Sequence, residues 1–177
     1  MSKRIYTIGH STRELSELVA LLKENGAGRL VDIRRFPGSR RYPHFSRQAL
    51  SKSLPESGIA YEHFEELGGR RKPVAGSRNT ALENEQFRAY ADYMATPEFH
   101  AAVDRLLDSD MTTVTMCAEA VPWRCHRNLL SDELVRRAVE VVHILGPHSL
   151  KNHALHQEAV IEGDRVTYPG RQGLLGT

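Results

Sequence analysis

Short apolar runs alternate with segments of helical periodicity along most of the chain. The run RIYTI (4–8) predicts a strand. Four apolar residues then recur at helical spacing: Leu15, Leu18, Val19 and Leu22. A helix capped by Ser11 or Thr12 is therefore predicted, and RLVDI (29–33) predicts the next strand. Strand, helix and strand within about 30 residues are typical of a parallel βαβ unit.

The same patterns continue towards the C-terminus. Three more strands are predicted, the last of them closing the sheet: IAYEH (59–63), TTVTMC (112–117) and EVVHIL (140–145). Four more helices are predicted: one from Ser46 to near Pro55, two with apolar stripes from Phe87 to Met94 and from Phe99 to Leu106, and one over 126–138. Residues 64–83 form a long Gly- and Arg-rich connection. Beyond Gly146, a helical turn over Ser149–His156 and a small hairpin in AVIEGDRVTYP are predicted.

This order of elements predicts a three-layer α/β domain with a mainly parallel sheet of about five strands. A chain of 177 residues is long enough for one such domain and a small C-terminal appendage. We place the domain at residues 1–147 and the appendage at residues 148–177.

Composition and charge narrow the class of protein. The N-terminus lacks the apolar stretch of a signal peptide, and no run approaches the roughly 20 apolar residues of a membrane span. Two cysteines without a secretory signal predict reduced thiols in the cytoplasm. The net charge is only +2, but residues 34–53 contain Arg and Lys and no Asp or Glu.

Polar and reactive side chains follow each predicted strand. In parallel sheets, ligands bind beyond the carboxyl ends of the strands, so these side chains are predicted to line one crevice. They are Gly9, His10 and Ser11 after the first strand, Asp32, Arg34 and Arg35 after the second, His63 to Arg71 after the third, Cys117 and Glu119 after the fourth, and His143 at the end of the fifth.

Five segments at these positions are TIGHST, VDIRRFPGSRRYPHF, GIAYEHFEELGGRR, MCAEAVPWRCHR and VVHI. In order and spacing they resemble the "domain of unknown function 488" family, from about residue 4 to residue 145. The resemblance implies the domain and a set of motif positions, without supplying a reaction. Those positions are His10, Asp32, Arg34, Pro37, Ser39, Gly68, Gly69, Cys117, Glu119, Cys125, His126 and Arg127.

The cysteines suggest thiol chemistry. Cys117 ends an apolar strand, and a helix N-terminus and cationic residues near Cys125 would favour its thiolate. Glu119, His10, His126 and Asp32 are the proton-transfer candidates, and Cys125 could resolve a mixed disulfide if the sulfurs approach. The alternatives are two buried structural cysteines and an Asp32–Arg34 ion pair that orders the following loop. The spacing and bulk of the loop match neither a cysteine phosphatase nor a rhodanese-like loop.

Two basic loops predict an anionic ligand. IRRFPGSRRYPHFSR interleaves Arg with aromatic residues, and GGRRKPVAGSR adds further cations. The predicted anion-binding residues are Ser11, Arg34, Arg35, Ser39, Arg40, Arg41, Gly68, Gly69, Arg70 and Arg127. The alternative is a solvated surface neutralised by flanking acids. No Walker A or GxGxxG fingerprint is present, so no cofactor is predicted.

A metal site is considered but not predicted, and the remaining histidines and Trp123 are assigned no catalytic role. Cys117, Cys125 and His126 could hold zinc with His10 or His63, but their spacing is not that of a structural zinc site, and no metal ligand is assigned. His100, His153 and His156 are expected on the solvated surface. Trp123 is expected on an exposed loop, where it could form a wall of the pocket or pack on the end of the sheet, and packing is favoured.

Two functional hypotheses follow. The first is an enzyme, a thiol-dependent transferase or hydrolase that acts on a phosphate-bearing substrate such as a nucleotide or nucleic acid. The second is a non-catalytic nucleic-acid-binding module, with or without a structural metal. The expected partner is an anionic small molecule or a nucleic acid rather than a membrane, and a homodimer is left open.

Overall fold

The computed structural model describes residues 2–38 and 40–170, and a six-stranded sheet forms its centre. The strands are β1 (Arg4–Gly9), β2 (Arg29–Asp32), β3 (Ala60–His63), β4 (Thr113–Cys117), β5 (Glu140–Gly146) and β6 (Ser149–Asn152). Their order in the sheet is β3-β2-β4-β1-β5-β6. The first five strands are parallel and β6 is antiparallel to β5, which confirms a mainly parallel sheet.

Five helices cover the sheet on both faces, which confirms the three-layer α/β class. They are α1 (Leu15–Glu24), α2 (Arg47–Glu56), α3 (Glu85–Tyr93), α4 (Pro97–Leu107) and α5 (Arg127–Arg136). Side chains on alternate faces of the strands pack into two cores. Ile5 and Val31 pack with α3, α4 and α5, whereas Ile8 and Leu30 pack with α1 and α2. Among residues 2–38 and 40–170, no helix has the length and apolar character needed to span a membrane.

Helix α1 begins later than predicted. Its N-cap is Glu14, whose backbone N–H donates to the Glu17 carboxylate at 3.5 Å. Ser11 has a φ of 51°, and its backbone N–H donates to the carbonyl of Ala118 at 2.9 Å. Ser11 cannot cap the helix because it is held in the loop that joins β1 to the chain after β4. The predicted cap at Ser11 or Thr12 is therefore wrong.

The C-terminal segment also differs from its prediction. Residues 149–152 form strand β6 rather than a helical turn, so β5 is not the last strand of the sheet. A turn at Pro147 and His148, with His148 at a φ of 51°, reverses the chain and allows the antiparallel pairing. The predicted hairpin is confirmed as β7 (Val160–Glu162) and β8 (Arg165–Thr167). The domain boundary at residue 147 stays a prediction.

A buried polar network joins this C-terminal segment to the sheet. The Asp132 carboxylate accepts hydrogen bonds from His153 Nε2 at 2.7 Å and from the Tyr168 hydroxyl at 2.7 Å. His153 Nδ1 then accepts from His143 Nε2 at 2.9 Å, and His143 Nδ1 accepts from the Thr7 hydroxyl at 2.6 Å. His143 thus lies within β5 rather than at its end, and the His153 side chain is only 1% exposed. The prediction of a solvated His153 is wrong because its partners come from distant parts of the chain.

The chain after β4 passes directly over the end of β1. His10 donates its backbone N–H to the carbonyl of Cys117 at 2.9 Å, next to the Ser11 contact. A Cβ atom on Gly9 would lie 1.7 Å from the carbonyl oxygen of Glu119. Only glycine therefore permits this crossing, which fixes the loop that follows Cys117.

We expect Gly9→Ala to lower the free energy of unfolding by about 3 kcal/mol or more, because the methyl group overlaps backbone that cannot move aside. Urea denaturation measures the change. Gly146→Ala is the matched control, since Gly146 also ends a parallel strand and an added Cβ meets no atom within 4 Å. Equal effects of the two substitutions would contradict the crossing.

Stability should also depend on pH through His143. Burial, followed by the charges of His153, Arg127 and Lys151, lowers the pKa of His143 from 6.5 to about 3. The unfolded chain therefore binds a proton that the folded chain does not bind, and the free energy of unfolding decreases as the pH falls below about 6.5. Urea denaturation at pH 7 and pH 4.5 should show that His143→Gln removes about 2 kcal/mol of this loss.

The control for this experiment is His148→Gln, which removes a histidine whose side chain is 88% exposed. Its pH dependence should differ from that of the unmodified protein by less than about 1 kcal/mol, because it loses only an exposed ion pair with Glu24. If the difference for His143→Gln is equally small, the buried network does not exclude a proton from His143.

Candidate active site at the strand ends

Two adjoining cavities form one crevice beyond the ends of β1, β2 and β4. The first, which we call the thiol cavity, has a volume of about 270 Å³ and reaches Cys117, Cys125 and His126. The second, the histidine cavity, has a volume of about 560 Å³ and reaches His10 and Ser11. The two share a wall made of Arg34, Phe36, Arg70, Ala118 and Glu119. The predicted convergence of polar side chains at this edge of the sheet is therefore present.

Both cysteines lie in the wall of the thiol cavity as free thiols. Cys117 is buried because it ends β4, which lies between β2 and β1 in the sheet. Cys125 follows a 3-10 turn over Pro122–Arg124 and precedes α5. The Cys125 sulfur accepts the backbone N–H of Arg127 at 3.5 Å, as expected at a helix N-terminus.

The Arg127 guanidinium is buried, with only 1% of the residue exposed, and its charge acts on both thiols. Its Nη2 donates to the Ala120 carbonyl at 3.2 Å, while Nε and Nη1 have no hydrogen-bond partner within residues 2–38 and 40–170. No carboxylate in this described part of the chain forms an ion pair with it. A buried cation without an acid raises the electrostatic potential around it and favours a neighbouring anion.

This potential acts on the two thiols in different ways. Burial by itself raises the pKa of Cys117, but a hydrogen bond with the Cys125 thiol and the charge of Arg127 lower it overall. Burial raises the pKa of Cys125 well above its ordinary value, and its interaction with Cys117 adds to this effect. Of the two thiols, Cys117 is thus the one that loses its proton more readily.

His126 lies beside Cys125 as a neutral ring. Its Nε2 donates to the Ile33 carbonyl at 3.2 Å, which leaves the Nδ1 lone pair facing the Cys125 sulfur at 3.5 Å. Burial lowers the pKa of His126 to about 4. His126 can therefore accept a hydrogen bond from the Cys125 thiol at neutral pH.

His10 is also neutral. Its Nδ1 donates to the Ser11 carbonyl at 2.9 Å, and its Nε2 accepts from Arg34 Nη1 at 3.3 Å. Burial, which outweighs the bond to Ser11, lowers the pKa of His10 to about 4, and the charge of Arg34 acts in the same direction. The lone pair of His10 is engaged by Arg34, so His10 contributes an uncharged polar wall to the histidine cavity.

Asp32 lies behind the crevice rather than in its wall. Its carboxylate is fully buried and accepts two bonds from the Arg34 guanidinium, at 2.9 and 2.6 Å. The Tyr61 hydroxyl donates to it at 2.6 Å, and Arg34 also donates to the Phe45 carbonyl. The structure thus contains the ion pair that was the alternative to a catalytic Asp32, and this pair orders the start of the 34–45 loop.

The other predicted anion-binding residues divide into two groups. Arg35, Arg70 and Gly69 line the thiol cavity, and Arg124 lines it as well. Arg40 and Arg41 are exposed and do not line either cavity. Gly68 packs with its Cα facing the Arg35 backbone. Ser39 lies outside the described residues. Gly68 is required for packing, since a Cβ on it would lie 2.6 Å from Arg35 N. A Cβ on Gly69 would make a tight contact of 3.0 Å with the His126 side chain.

Two residues of the thiol cavity come from a part of the chain that carried no functional signal. Gln86 and Phe87 lie in the first turn of α3, which the sequence predicts only as a core helix. Phe87 belongs to the predicted apolar stripe, and no local pattern separates a cavity wall from a core contact. Trp123 is 54% exposed, in agreement with its predicted place on an exposed loop.

The described ranges hold no group of three or more His, Cys, Asp or Glu side chains placed to bind a metal ion. His63, one of the ligands considered for zinc, is engaged elsewhere, since its Nε2 donates to the Arg34 carbonyl at 2.6 Å. The Cys117 sulfur lies 3.6 Å from the Glu119 carbonyl oxygen, and the Cys125 sulfur lies 3.5 Å from His126 Nδ1.

Comparison with known proteins identifies the family. The family model described as "Domain of unknown function DUF488" matches residues 14–134, which include both cysteines, Arg34, Arg70 and Arg127. The match begins after His10 and Ser11 and ends before β5, so it is shorter than the resemblance expected over residues 4–145. No curated protein and no solved structure matches the chain. Because the match covers more than half of the sequence, the chain belongs to the DUF488 family.

Proposed function

We propose that the protein is an enzyme that acts on a phosphate-bearing, nucleotide-like substrate through the thiolate of Cys117. The observation that supports this most directly is the buried Arg127 guanidinium, whose charge acts on both thiols and whose Nε and Nη1 have no hydrogen-bond partner and no carboxylate within the described residues. A structural cysteine pair needs no buried cation, and burying one is costly unless an anion compensates it. The Cys117 thiolate is that anion.

The neighbours of Cys117 supply the other parts of a thiol mechanism. Cys125 donates its one S–H proton to the Cys117 thiolate, and His126 Nδ1 lies 3.5 Å from the Cys125 sulfur, where it can accept that proton once the thiolate has reacted. The Cys117 sulfur forms a bond to an electrophilic atom of the substrate while the bond to the leaving group breaks. Glu119, exposed in the shared wall, lies where it can transfer a proton at the leaving group or at an attacking water.

The wall of the crevice fits an anionic substrate. Arg70 and Arg124 are exposed, line the thiol cavity and form no ion pair within the described parts of the chain. Arg35 joins them, with Nη1 donating to the Arg70 carbonyl at 2.6 Å. Guanidinium groups in this arrangement bind phosphate by paired hydrogen bonds, and Phe36 and Phe87 add apolar surface for a base or sugar.

A non-catalytic nucleic-acid-binding module is the second hypothesis. The exposed Arg40 and Arg41 beside Tyr42 favour it, because cations interleaved with aromatic rings suit nucleic acid. It gives no reason for a buried Arg127 next to two thiols. A reducing compartment such as the cytoplasm would keep both thiols free.

Alkylation kinetics test the thiolate. With iodoacetamide, Cys117 should react with an apparent pKa below the free-thiol value of about 8.5, while Cys125 should stay unreactive up to higher pH. Mass spectrometry of the peptide that contains both cysteines separates the two sites. Two cysteines that react only above pH 8.5 would contradict the proposal.

Removal of the Arg127 charge should raise the pKa of Cys117. We expect Arg127→Met to slow alkylation of Cys117 at pH 7 by about tenfold, because the thiolate loses its buried counter-charge. Arg136→Met is the matched control, since Arg136 lies on the same helix and pairs with Glu133 instead. Arg127→Lys should restore part of the rate, and circular dichroism checks that each variant folds. An unchanged rate in a folded Arg127→Met protein would mean that Arg127 does not compensate the thiolate.

Turnover should depend on Cys117 itself. In a screen of nucleoside phosphates and phosphodiesters, Cys117→Ser should abolish any turnover that the unmodified protein shows, because serine lacks the low pKa of the thiol. Thermal unfolding of the variant should remain close to that of the unmodified protein. Turnover that survives the substitution would refute a thiol nucleophile.

A further inference from the structure

We infer that the crevice binds a single-stranded nucleic acid of at least two nucleotides, with one nucleotide in the thiol cavity and its neighbour in the histidine cavity. This inference rests on the proposed function, because it names the substrate class of the same site. It is carried by the two-part shape of the crevice, the aromatic rings in each part and the cations at their junction.

The crevice is divided into two parts of unequal volume. The thiol cavity of about 270 Å³ lies near the lower end of the usual range for small-ligand pockets. The histidine cavity of about 560 Å³ continues from it beyond the shared wall. A mononucleotide in the thiol cavity would leave the larger part of the crevice unused.

Each part of the crevice offers an aromatic surface. Phe87 lines the thiol cavity, Tyr42 and His10 line the histidine cavity, and Phe36 belongs to both. Phe36 is 63% exposed, and the guanidinium carbons of Arg35 and Arg70 lie 5.4 and 6.0 Å from its ring centre. An exposed aromatic ring with cationic groups beside it is suited to stacking with the bases of a single strand.

The cationic Arg70 offers a binding site for a phosphate at the junction of the two cavities. Arg70 is exposed in the shared wall and has a φ of 57°, a backbone conformation that a residue other than glycine rarely adopts. A phosphate that links two nucleotides can bind Arg70 there while each base enters one cavity. Glu119 lies in the same wall and would repel a phosphate, so it is left to accept a hydrogen bond from a sugar hydroxyl or a base N–H.

The position of the thiol excludes an intact duplex. Cys117 is 1% exposed and lies at the bottom of its cavity, so a reacting group must enter the cavity to reach it. A base or sugar stacked within a duplex cannot do so without leaving the helix. A single strand presents its bases freely.

Competition binding tests the inference. A fluorescent tetranucleotide is displaced from the full chain by 5′-phosphorylated oligothymidylates and oligouridylates of one, two and four residues, monitored by anisotropy. We expect the dinucleotide of one or both series to bind at least tenfold tighter than its mononucleotide, with little further gain at four residues. The two series distinguish DNA from RNA. Equal affinity of the mononucleotide and the tetranucleotide would overturn the inference.

Substitution of Phe36 separates stacking from charge. We expect Phe36→Ala to weaken dinucleotide binding about tenfold, whereas the matched control Ile161→Ala, which truncates a 48% exposed residue on β7, leaves it unchanged. Linear tripolyphosphate should compete weakly, and a duplex of the same sequence should bind less tightly than the single strand. Three results would each refute the inference. They are tripolyphosphate that binds as tightly as the dinucleotide, a duplex that binds more tightly than the single strand, and a Phe36→Ala protein that binds the dinucleotide as tightly as the unmodified protein.

Alkylation of Cys117 keeps this test distinct from that of the proposed function. The bound dinucleotide should protect Cys117 from iodoacetamide, because it occupies the thiol cavity. If Cys117 is a reactive thiolate but the dinucleotide gives no binding and no protection, the nucleic-acid inference fails and the thiol mechanism stands. If the dinucleotide binds while Cys117 has the pKa of a free thiol, the mechanism fails instead.

Discussion

The close approach of two backbones, at Gly9 and at Glu119, is the constraint on which the site depends. Parallel strands bring their carboxyl ends to one edge, but they do not determine where the following loops go. The bonds from His10 and Ser11 to the carbonyls of Cys117 and Ala118 hold the loop after β4 across β1. Glu119 is thereby brought into the wall shared by the two cavities, while Cys117 stays below it. A side chain at position 9 would move this loop away from both.

The electrostatics of the site depend on keeping acids away from its centre. Asp32 is satisfied by Arg34 and Tyr61, and Asp132 by His153 and Tyr168, so neither carboxylate neutralises Arg127. His10, His126 and His143 stay uncharged because burial lowers their pKa values. The charge of Arg127 lowers the pKa of both thiols, whereas the charge of Glu119 raises that of Cys117. A buried counter-charge such as Arg127 acts on a thiolate more strongly than an exposed charge could, since solvent does not screen it.

Much of this arrangement could be predicted from the sequence. The apolar runs predict the first five strands and their parallel orientation. The rule that strand ends converge predicts the position of Cys117 and Glu119. Contacts between distant residues could not be predicted in the same way. His153 looked like a surface residue because its partner Asp132 lies on another element, and Gln86 and Phe87 reach the thiol cavity only through the packing of α3. As a proton-transfer group, Asp32 would point into the crevice, whereas as a partner of Arg34 it lies behind the crevice. The spacing of residues along the chain does not determine which direction the side chain takes.

The family match ends at residue 134, just after Asp132, whereas the groups that satisfy Asp132 follow at His153 and Tyr168. An aspartate at this position is tolerated in the interior only if a donor reaches it from the C-terminal segment. Without the C-terminal segment this buried carboxylate would lose both of these donors, so the segment supplies hydrogen bonds that the interior of the sheet domain requires.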